Sequence, residues 1–451
     1  MKLIIAGAGR IGGALAEALS AEKHDIAVID RDTETLSHVS DDLDVICLEG
    51  SATNPDVLRE AGAAEADLLI AATEQDEINL VCGLASSKLG TKHVIARVRD
   101  PEYLGKTEFL RETFGISMLF NPEYECAKDI SRTLRFPGAS RVDSFTRGSA
   151  EIVEYHVPRG SRLAGVSLRE LQGRFRAHIL VSLAERDGKV EIPKGDFCIQ
   201  ENDSLSITGS PKEIRRFFVA AGAYVKPVRR VMITGGDRCA VYLARLLMES
   251  GIEVAIIEND RARCERLCEL VPDARIICGN AARSDVLAEE GIHETDGFVA
   301  LMEDDGDNIV TAIYAKRCHV GKVIARVNHA HFAEILDNRD LDSVVIPKTI
   351  VVQLISRYVR AMSNSAGSSM ETLYRLADGK AEALEFRVSK DARCAGIPLS
   401  ELNLKPNVLI AGVIRGNKTL VPDGSTVIQP GDHAVIVTDA GWLQDIDSIL
   451  K

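Results

Sequence analysis

The chain has 451 residues, 45% hydrophobic and 27% charged, enough for two to four domains with ordinary cores. A formal net charge of −13 excludes general binding to a nucleic-acid backbone, which needs a concentrated basic face. No run reaches the roughly 18 apolar residues that span a bilayer, the first residues run into a glycine turn rather than a secretory leader, and the ten cysteines show neither a C-x-x-C pair nor zinc-ligand spacing, so a reduced, cytoplasmic chain is expected.

From the N-terminus, short apolar runs alternate with amphipathic ones. They predict strand 2–6, helix 10–21, strand 25–29, helix 33–40, strand 44–48, helix 55–61, strand 67–71, helix 76–88 and strand 93–97. This alternation reads as an α/β, doubly wound parallel sheet with helices on both faces. Pro122 opens a helix over 122–136, stopped by Pro137-Gly138. Strands then follow at Glu151–Val157, Ile179–Glu185 and Ser204–Thr208, with turns at Asp187-Gly188 and Pro193-Lys194-Gly195. They outline a small β-rich α+β unit.

The whole arrangement then recurs with a period of 228 to 229 residues. Residues 50–62, GSATNPDVLREAG, return as 279–291, GNAARSDVLAEEG, and the run VIARV occurs at both 94–98 and 323–327. Matches that run through turns and polar positions mark a duplicated unit, not shared periodicity. The expected organisation is a Rossmann domain over 1–120, a connector helix over 121–140, a small domain over 141–225, a second Rossmann domain over 226–346, a connector and linker over 347–369, and a second small domain over 370–451. The joint at 221–230 and the small, polar stretch at 363–369 read as flexible.

Gly7-Ala8-Gly9-Arg10-Ile11-Gly12 is G-x-G-x-x-G, and it stands between an apolar strand and a helix, with Asp30 ending the next strand. The first glycine permits a tight turn, the second lets backbone approach a pyrophosphate, and the third lets helix pack on sheet. The helix N-terminus offers free N–H groups to phosphate. Asp30 is placed to bind an adenosine ribose, the pattern of NAD rather than NADP. Ser51, Ala52, Thr73 and Arg97 fall at the carboxyl ends of later strands, where such sheets bind ligands. Asp76 reads as a helix N-cap, with Asn79 in the first turn.

The second copy departs from this pattern. Gly235-Gly236-Asp237-Arg238-Cys239 keeps the first glycine but carries Asp237 at the position of Gly9, while Glu258 retains the acid. Asp237 either repels a pyrophosphate or turns to solvent and caps the following helix. The second site is therefore impaired for dinucleotides or reshaped for another nucleotide. Cys264 and Cys268, four apart on a predicted helix, read as packing or surface residues.

The glycine turn with Asp30, the segment GSATNPDVLREAGAAEADLLIAAT, Ile95-Ala96-Arg97 and the repeat together resemble the TrkA family, regulatory subunits of bacterial Trk potassium uptake with tandem RCK domains. The resemblance covers the whole chain. It implies binding of NAD(H), with ATP or ADP as further ligands, and a cytoplasmic homo-oligomeric ring, for which a dimer supplies four Rossmann domains. It also implies an integral-membrane potassium channel or transporter partner of TrkH or TrkG type. Carried over by position, the first site uses Gly7, Ala8, Gly9, Arg10, Ile11, Gly12, Asp30, Ser51, Ala52, Thr73 and Arg97. The second uses Gly235, Gly236, Asp237, Arg238, Cys239, Glu258, Asn280, Ala281 and Glu303. No metal site and no catalytic residue are implied.

An NAD-dependent oxidoreductase is the alternative, since the same fingerprint serves hydride transfer. That chemistry needs a substrate domain presenting an acid or base, and the small units, whose histidines are His156, His178 and His433, offer none. A sensor is expected instead, hinged at helices 122–136 and 347–362. Apolar faces of the helices near 76–88 and 122–136, and of their repeats, are expected to join one chain to another.

Overall fold

The computed structural model describes all residues except 101–102, 104–105, 137, 146–149, 223–227, 330, 333–340, 365–369, 378–379, 417, 440–442 and 444. Within the segments expected as flexible joints, 221–230 and 363–369, residues 223–227 and 365–369 lie outside the described residues.

The first parallel sheet comprises β1 (Lys2–Ala6), β2 (Asp25–Asp30), β3 (Ile46–Glu49), β4 (Leu68–Ala71), β5 (His93–Arg97) and β6 (Met118–Phe120). Helices α1 (Arg10–Ala21), α2 (Thr33–Asp42), α3 (Pro55–Glu60), α4 (Asp76–Leu89) and α5 (Thr107–Phe114) connect them. The order β3-β2-β1-β4-β5-β6 places the topological switch between β1 and β4, and a crevice opens at their carboxyl ends. The central strands are buried on both faces; β4 reads Leu-Leu-Ile-Ala with every residue buried. The five expected strands are present, but α5 and β6 were missed. The three-residue β6 is too short for a periodicity signal. Helix α5 did carry one, since Gly115 ends it at φ +66.

Helix α6 (Pro122–Arg135) starts where proline places it. Asn121 caps it by accepting from the Tyr124 N–H at 3.0 Å, and Pro122 supplies no N–H where none is needed. The first small unit is a five-stranded antiparallel sheet of β7 (Arg141–Phe145), β8 (Ala150–His156), β9 (Leu180–Arg186), β10 (Lys189–Glu191) and β11 (Ser204–Gly209), with α7 (Leu168–Phe175) and α8 (Pro211–Ala221) against it.

The second half repeats this. Its parallel sheet holds β12 (Arg230–Thr234), β13 (Glu253–Glu258), β14 (Arg275–Cys278), β15 (Gly297–Ala300), β16 (Lys322–Arg326) and β17 (Ser343–Val345), with α9 (Arg238–Glu249), α10 (Arg261–Leu270), α11 (Ser284–Glu289) and α12 (Asp305–Arg317). Helix α13 (Pro347–Asn364) leads to the second antiparallel sheet, β18 (Met370–Leu376), β19 (Ala381–Arg387), β20 (Val408–Arg415), β21 (Lys418–Leu420) and β22 (His433–Thr438).

The two halves exchange their connector helices. Helix α6 buries Cys126, Ala127, Ile130 and Leu134 in the core beneath α9 of the second Rossmann unit. Helix α13 buries Val351, Ile355 and Val359 against α1 of the first. Residues at i and i+4 lie on one helix face, so each connector presents a single apolar stripe, and each fully buried Ile or Val contributes about 1.5–3 kcal/mol. The connector faces expected to join separate chains are thus occupied within one chain. The small units complete the enclosure: Phe145, Ile152 and Leu183 of one sheet pack against Tyr374, Ala383, Ile414 and Val435 of the other.

Candidate nucleotide-binding site

The glycine turn is held by backbone sterics. Gly7 has φ +101, and a Cβ there would stand 2.9 Å from the Thr73 N. At Gly12 a Cβ would meet the Gly7 carbonyl oxygen at 1.7 Å. These two glycines close the turn onto the β4 loop and seat α1 on the turn. Gly9 differs, because a Cβ there meets nothing within 4 Å. Its α-carbon faces open space at the start of α1, where no side chain caps the helix. Its N-terminal N–H groups are therefore available to an anion. Asp30 buttresses the turn: one carboxylate oxygen accepts from the Ala8 N–H at 2.6 Å, the other from the Asp32 N–H at 3.1 Å.

A cleft of about 590 Å³ opens over this turn. Of the first-half residues singled out from sequence, Gly7, Gly9, Arg10, Ile11, Asp30, Ser51, Ala52, Thr73 and Arg97 line it. Ala8 and Gly12 serve beneath it, through the Asp30 bond and the helix seat. Ser51 accepts from the Arg31 guanidinium at 2.8 Å. Asn79 ties the loops together: its Oδ1 accepts from the Thr73 N–H at 2.9 Å, and its amide donates to the Thr73 and Arg97 carbonyls at 3.0 and 3.1 Å. Asp76 does not cap α4 as expected. It turns inward and accepts from the Arg99 and Asp100 N–H groups at 2.8 and 2.9 Å, bracing the loop after β5.

Arg97 is 6% exposed. It donates to the Thr73 carbonyl, its Nε has no hydrogen-bond partner, and no carboxylate pairs with it among the described residues. Burial and the neighbouring Arg99 push its pKa down to about 10. Glu123, Asp76 and Glu74 offset this only in part; a buried cation without a direct ion pair is costly, and here it lines a cleft. Nearby Glu123 is pushed above the usual carboxylate range, chiefly by burial, and one of its oxygens is unpartnered.

The repeat shows what fills such a position when the chain supplies it. Asp237 keeps the backbone of Gly9, with φ −77 and ψ −177 against φ −61 and ψ −169. One oxygen caps α9, accepting from the Ala240 N–H at 3.1 Å. The other forms an ion pair with Arg326, the repeat of Arg97. Burial opposes the Arg326 charge, yet Asp237 outweighs it and raises the pKa. The expected cap on the following helix is present, but the second carboxylate oxygen is not turned to solvent, because it pairs with Arg326.

The second-half site residues are dispersed. Glu258 accepts from the Gly236 N–H at 2.7 Å and the Asp260 N–H at 2.9 Å, buttressing its turn as Asp30 does. Glu303 forms an ion pair with Arg263 at 2.9 Å, from the β15 loop to α10. Gly236, Asp237, Arg238 and Glu303 line a separate groove of about 470 Å³, which Gly235, Glu258, Asn280 and Ala281 do not reach. Asn280 accepts from the Ala282 N–H within its turn, and Ala281 is buried. Asp237 and Cys239 instead reach across to line the first cleft, together with Arg326, Asn328 and Lys348. No local signal could have placed these in the first site, since they arrive through the exchange of connectors.

The TrkA-N domain family matches residues 3–122 and again 231–347, and the TrkA-C domain family matches 152–221 and 383–451. A Trk system potassium uptake protein TrkA homolog of Archaeoglobus fulgidus is 31% identical over 452 residues, covering all of both chains. The chain belongs to the TrkA family. The Trk system potassium uptake protein TrkA of Vibrio alginolyticus is 32% identical over 460 residues, covering 100% of this chain and 99% of that one. Among solved structures, the GsuK channel matches with TM-score 0.64 at 20% identity, over 97% of this chain and 76% of that one. The GsuK channel bound to NAD matches with TM-score 0.62 at 19% identity, with the same coverage. These likenesses show a shared fold of tandem Rossmann and small antiparallel units. TrkA-family relatives are potassium-uptake components, not enzymes, so the oxidoreductase alternative falls.

Proposed function

We propose that this chain is the nucleotide-sensing regulatory subunit of a Trk-type potassium uptake system, with its working site in the first cleft. The observation that carries this reading is the pairing of a bare Gly9 with a buried Arg97 that has no direct ion pair among the described residues, in a cleft walled by both halves. Gly7, Gly9, Arg10 and Ile11 would hold a pyrophosphate, Asp30 the adenosine ribose, and Arg97 would gain a direct anionic partner. NAD(H) is the ligand this geometry favours, with ATP or ADP sharing the adenosine end. The nucleotide acts here as a ligand and supplies no chemistry.

Regulation follows from the composite wall. A ligand shifts a two-state equilibrium only through its different affinity for the two states. Because Arg326, Asn328 and Lys348 line the same cleft as Gly9, any change in the angle between halves alters the ligand's contacts, and the ligand must bias that angle in return. Such an angle, transmitted through the connectors to a TrkH- or TrkG-type membrane partner on the cytoplasmic face, would gate potassium entry. Among the described residues no helix is long and apolar enough to cross a membrane, so the pathway would lie in the partner.

Calorimetry of the intact chain with NAD⁺, NADH, ATP and ADP tests the reading. One strong site per chain is expected, weakened at least tenfold by Asp30→Asn. Two equal sites per chain, or affinity indifferent to Asp30, would overturn it.

A further inference from the structure

A thiol cluster at the edge of the second Rossmann unit has no counterpart in the first. Cys264, Cys268 and Cys278 occupy the repeat positions of Leu36, Ser40 and Glu49. Cys264 is buried on α10, and its thiol donates to the Glu258 carbonyl at 3.4 Å. Cys278 ends β14, in register with Glu258 of the adjacent strand. Side chains alternate across a sheet. Ile276 packs with Leu267 and Leu270 of α10, so Cys278, two residues on, faces the same helix. The two thiols are neighbours on one helix–sheet seam, with Cys278 exposed and Cys264 behind it. Among the described residues no three potential ligands converge on a metal, so the seam offers a dithiol.

We infer that Cys264 and Cys278 are a peroxide-sensitive dithiol, a modification site whose oxidation joins α10 to β14. The exposed Cys278 thiolate attacks one oxygen of hydrogen peroxide. The S–O bond forms, the O–O bond breaks, and hydroxide leaves, taking sulfur to the sulfenic acid. The Cys264 sulfur then attacks the Cys278 sulfur. The S–S bond forms, the S–O bond breaks, and water departs with the Cys264 proton. Overall two thiols and one peroxide give one disulfide and two waters. Burial and the adjacent Cys278 thiol push Cys264 up to about 12, so the exposed Cys278 meets peroxide first and Cys264 enters through its proximity to the Cys278 sulfur. Oxidation also removes the thiol donor from the Glu258 carbonyl. It tethers the helix that carries Arg263 and Arg266 along the second groove, so the second half acquires a covalent input that the first half lacks.

The three cysteines fall on separate tryptic peptides, 264–266, 267–275 and 276–283, so one map resolves them. The intact chain would be treated with hydrogen peroxide, its remaining thiols alkylated, and the digest compared with and without dithiothreitol. The expected result is a loss of two thiols per chain, with 264–266 joined to 276–283 and released by reductant. Cys278→Ser, an exposed substitution, abolishes the link, as does Cys264→Ser, while Cys268→Ser leaves it intact. Over-oxidation of Cys278 to the sulfinic acid without a link, a link to 267–275, a link between chains, or no thiol loss would each overturn the assignment.

Discussion

Gly9→Asp places a carboxylate where the repeat carries Asp237, on nearly the same backbone and opposite an arginine of the same strand end. It is expected to reduce NADH affinity at least tenfold by calorimetry while leaving the thermal midpoint unchanged or raised, because Arg97 gains the partner that Arg326 has. The reverse change, Asp237→Gly, strips the counter-charge from Arg326, which is 8% exposed. Breaking a fully buried pair costs about 3–5 kcal/mol, and the loss here is smaller because the Asp237 side chain is 31% exposed. Denaturant melts should show this loss, and nucleotide stoichiometry should rise above one per chain. A Gly9→Asp chain that is both destabilised and competent in binding would contradict the exchange of roles.

The exchanged connectors are fastened at the scale of elements by a few polar contacts set in apolar faces. Tyr242 of α9 donates to the Arg99 carbonyl at 2.8 Å and accepts from the Asn121 amide at 2.9 Å, beside the start of α6. Tyr242→Phe leaves those groups short of partners and should cost about 1–3 kcal/mol in a denaturant melt. Lys322, at the start of β16, is fully buried and donates to the Ala139 carbonyl next to β7. Burial lowers its pKa from 10.5 to about 8. The unfolded chain therefore holds this proton more tightly than the folded one. Below about pH 8 both states are protonated and the full cost of the buried charge is present. Between about pH 8 and 10.5 the folded state sheds the proton first, so stability should rise with pH. Melts of Lys322→Met across that range should lack the rise.

For the molecule as a whole, several exposed apolar residues among those described lie away from the connectors. Val81 of α4 and its repeat Val310 of α12 are 46% and 66% exposed, and Phe109 of α5 is 66% exposed. With the connector faces occupied, these helices are the expected surface for a second chain. Val81→Asp with Val310→Asp should convert the expected dimer or higher ring to single chains by light scattering, with circular dichroism unchanged. Persistence of the assembly would place the interface elsewhere.

Sequence alone determined the duplicated α/β plan, the turn that only Gly7 and Gly12 permit and the family, because each rests on motifs whose residues are close together in the chain; that Asp30 buttresses the turn came only with the structure. Strand ends such as Arg97 were legible as cleft positions for the same reason. What Arg97 and Asp237 do was not legible, since charge compensation depends on which side chains the fold brings within reach. Asp76 looked like a cap because capping is local, yet it is bonded to the backbone of Arg99 and Asp100 in the loop after the next strand. The exchange of connectors was decided only in three dimensions. The bidentate Arg360–Glu22 pair joins α13 to the end of α1 across 338 residues of sequence, and an apolar stripe specifies that a helix face must be covered, not which half of the chain will cover it.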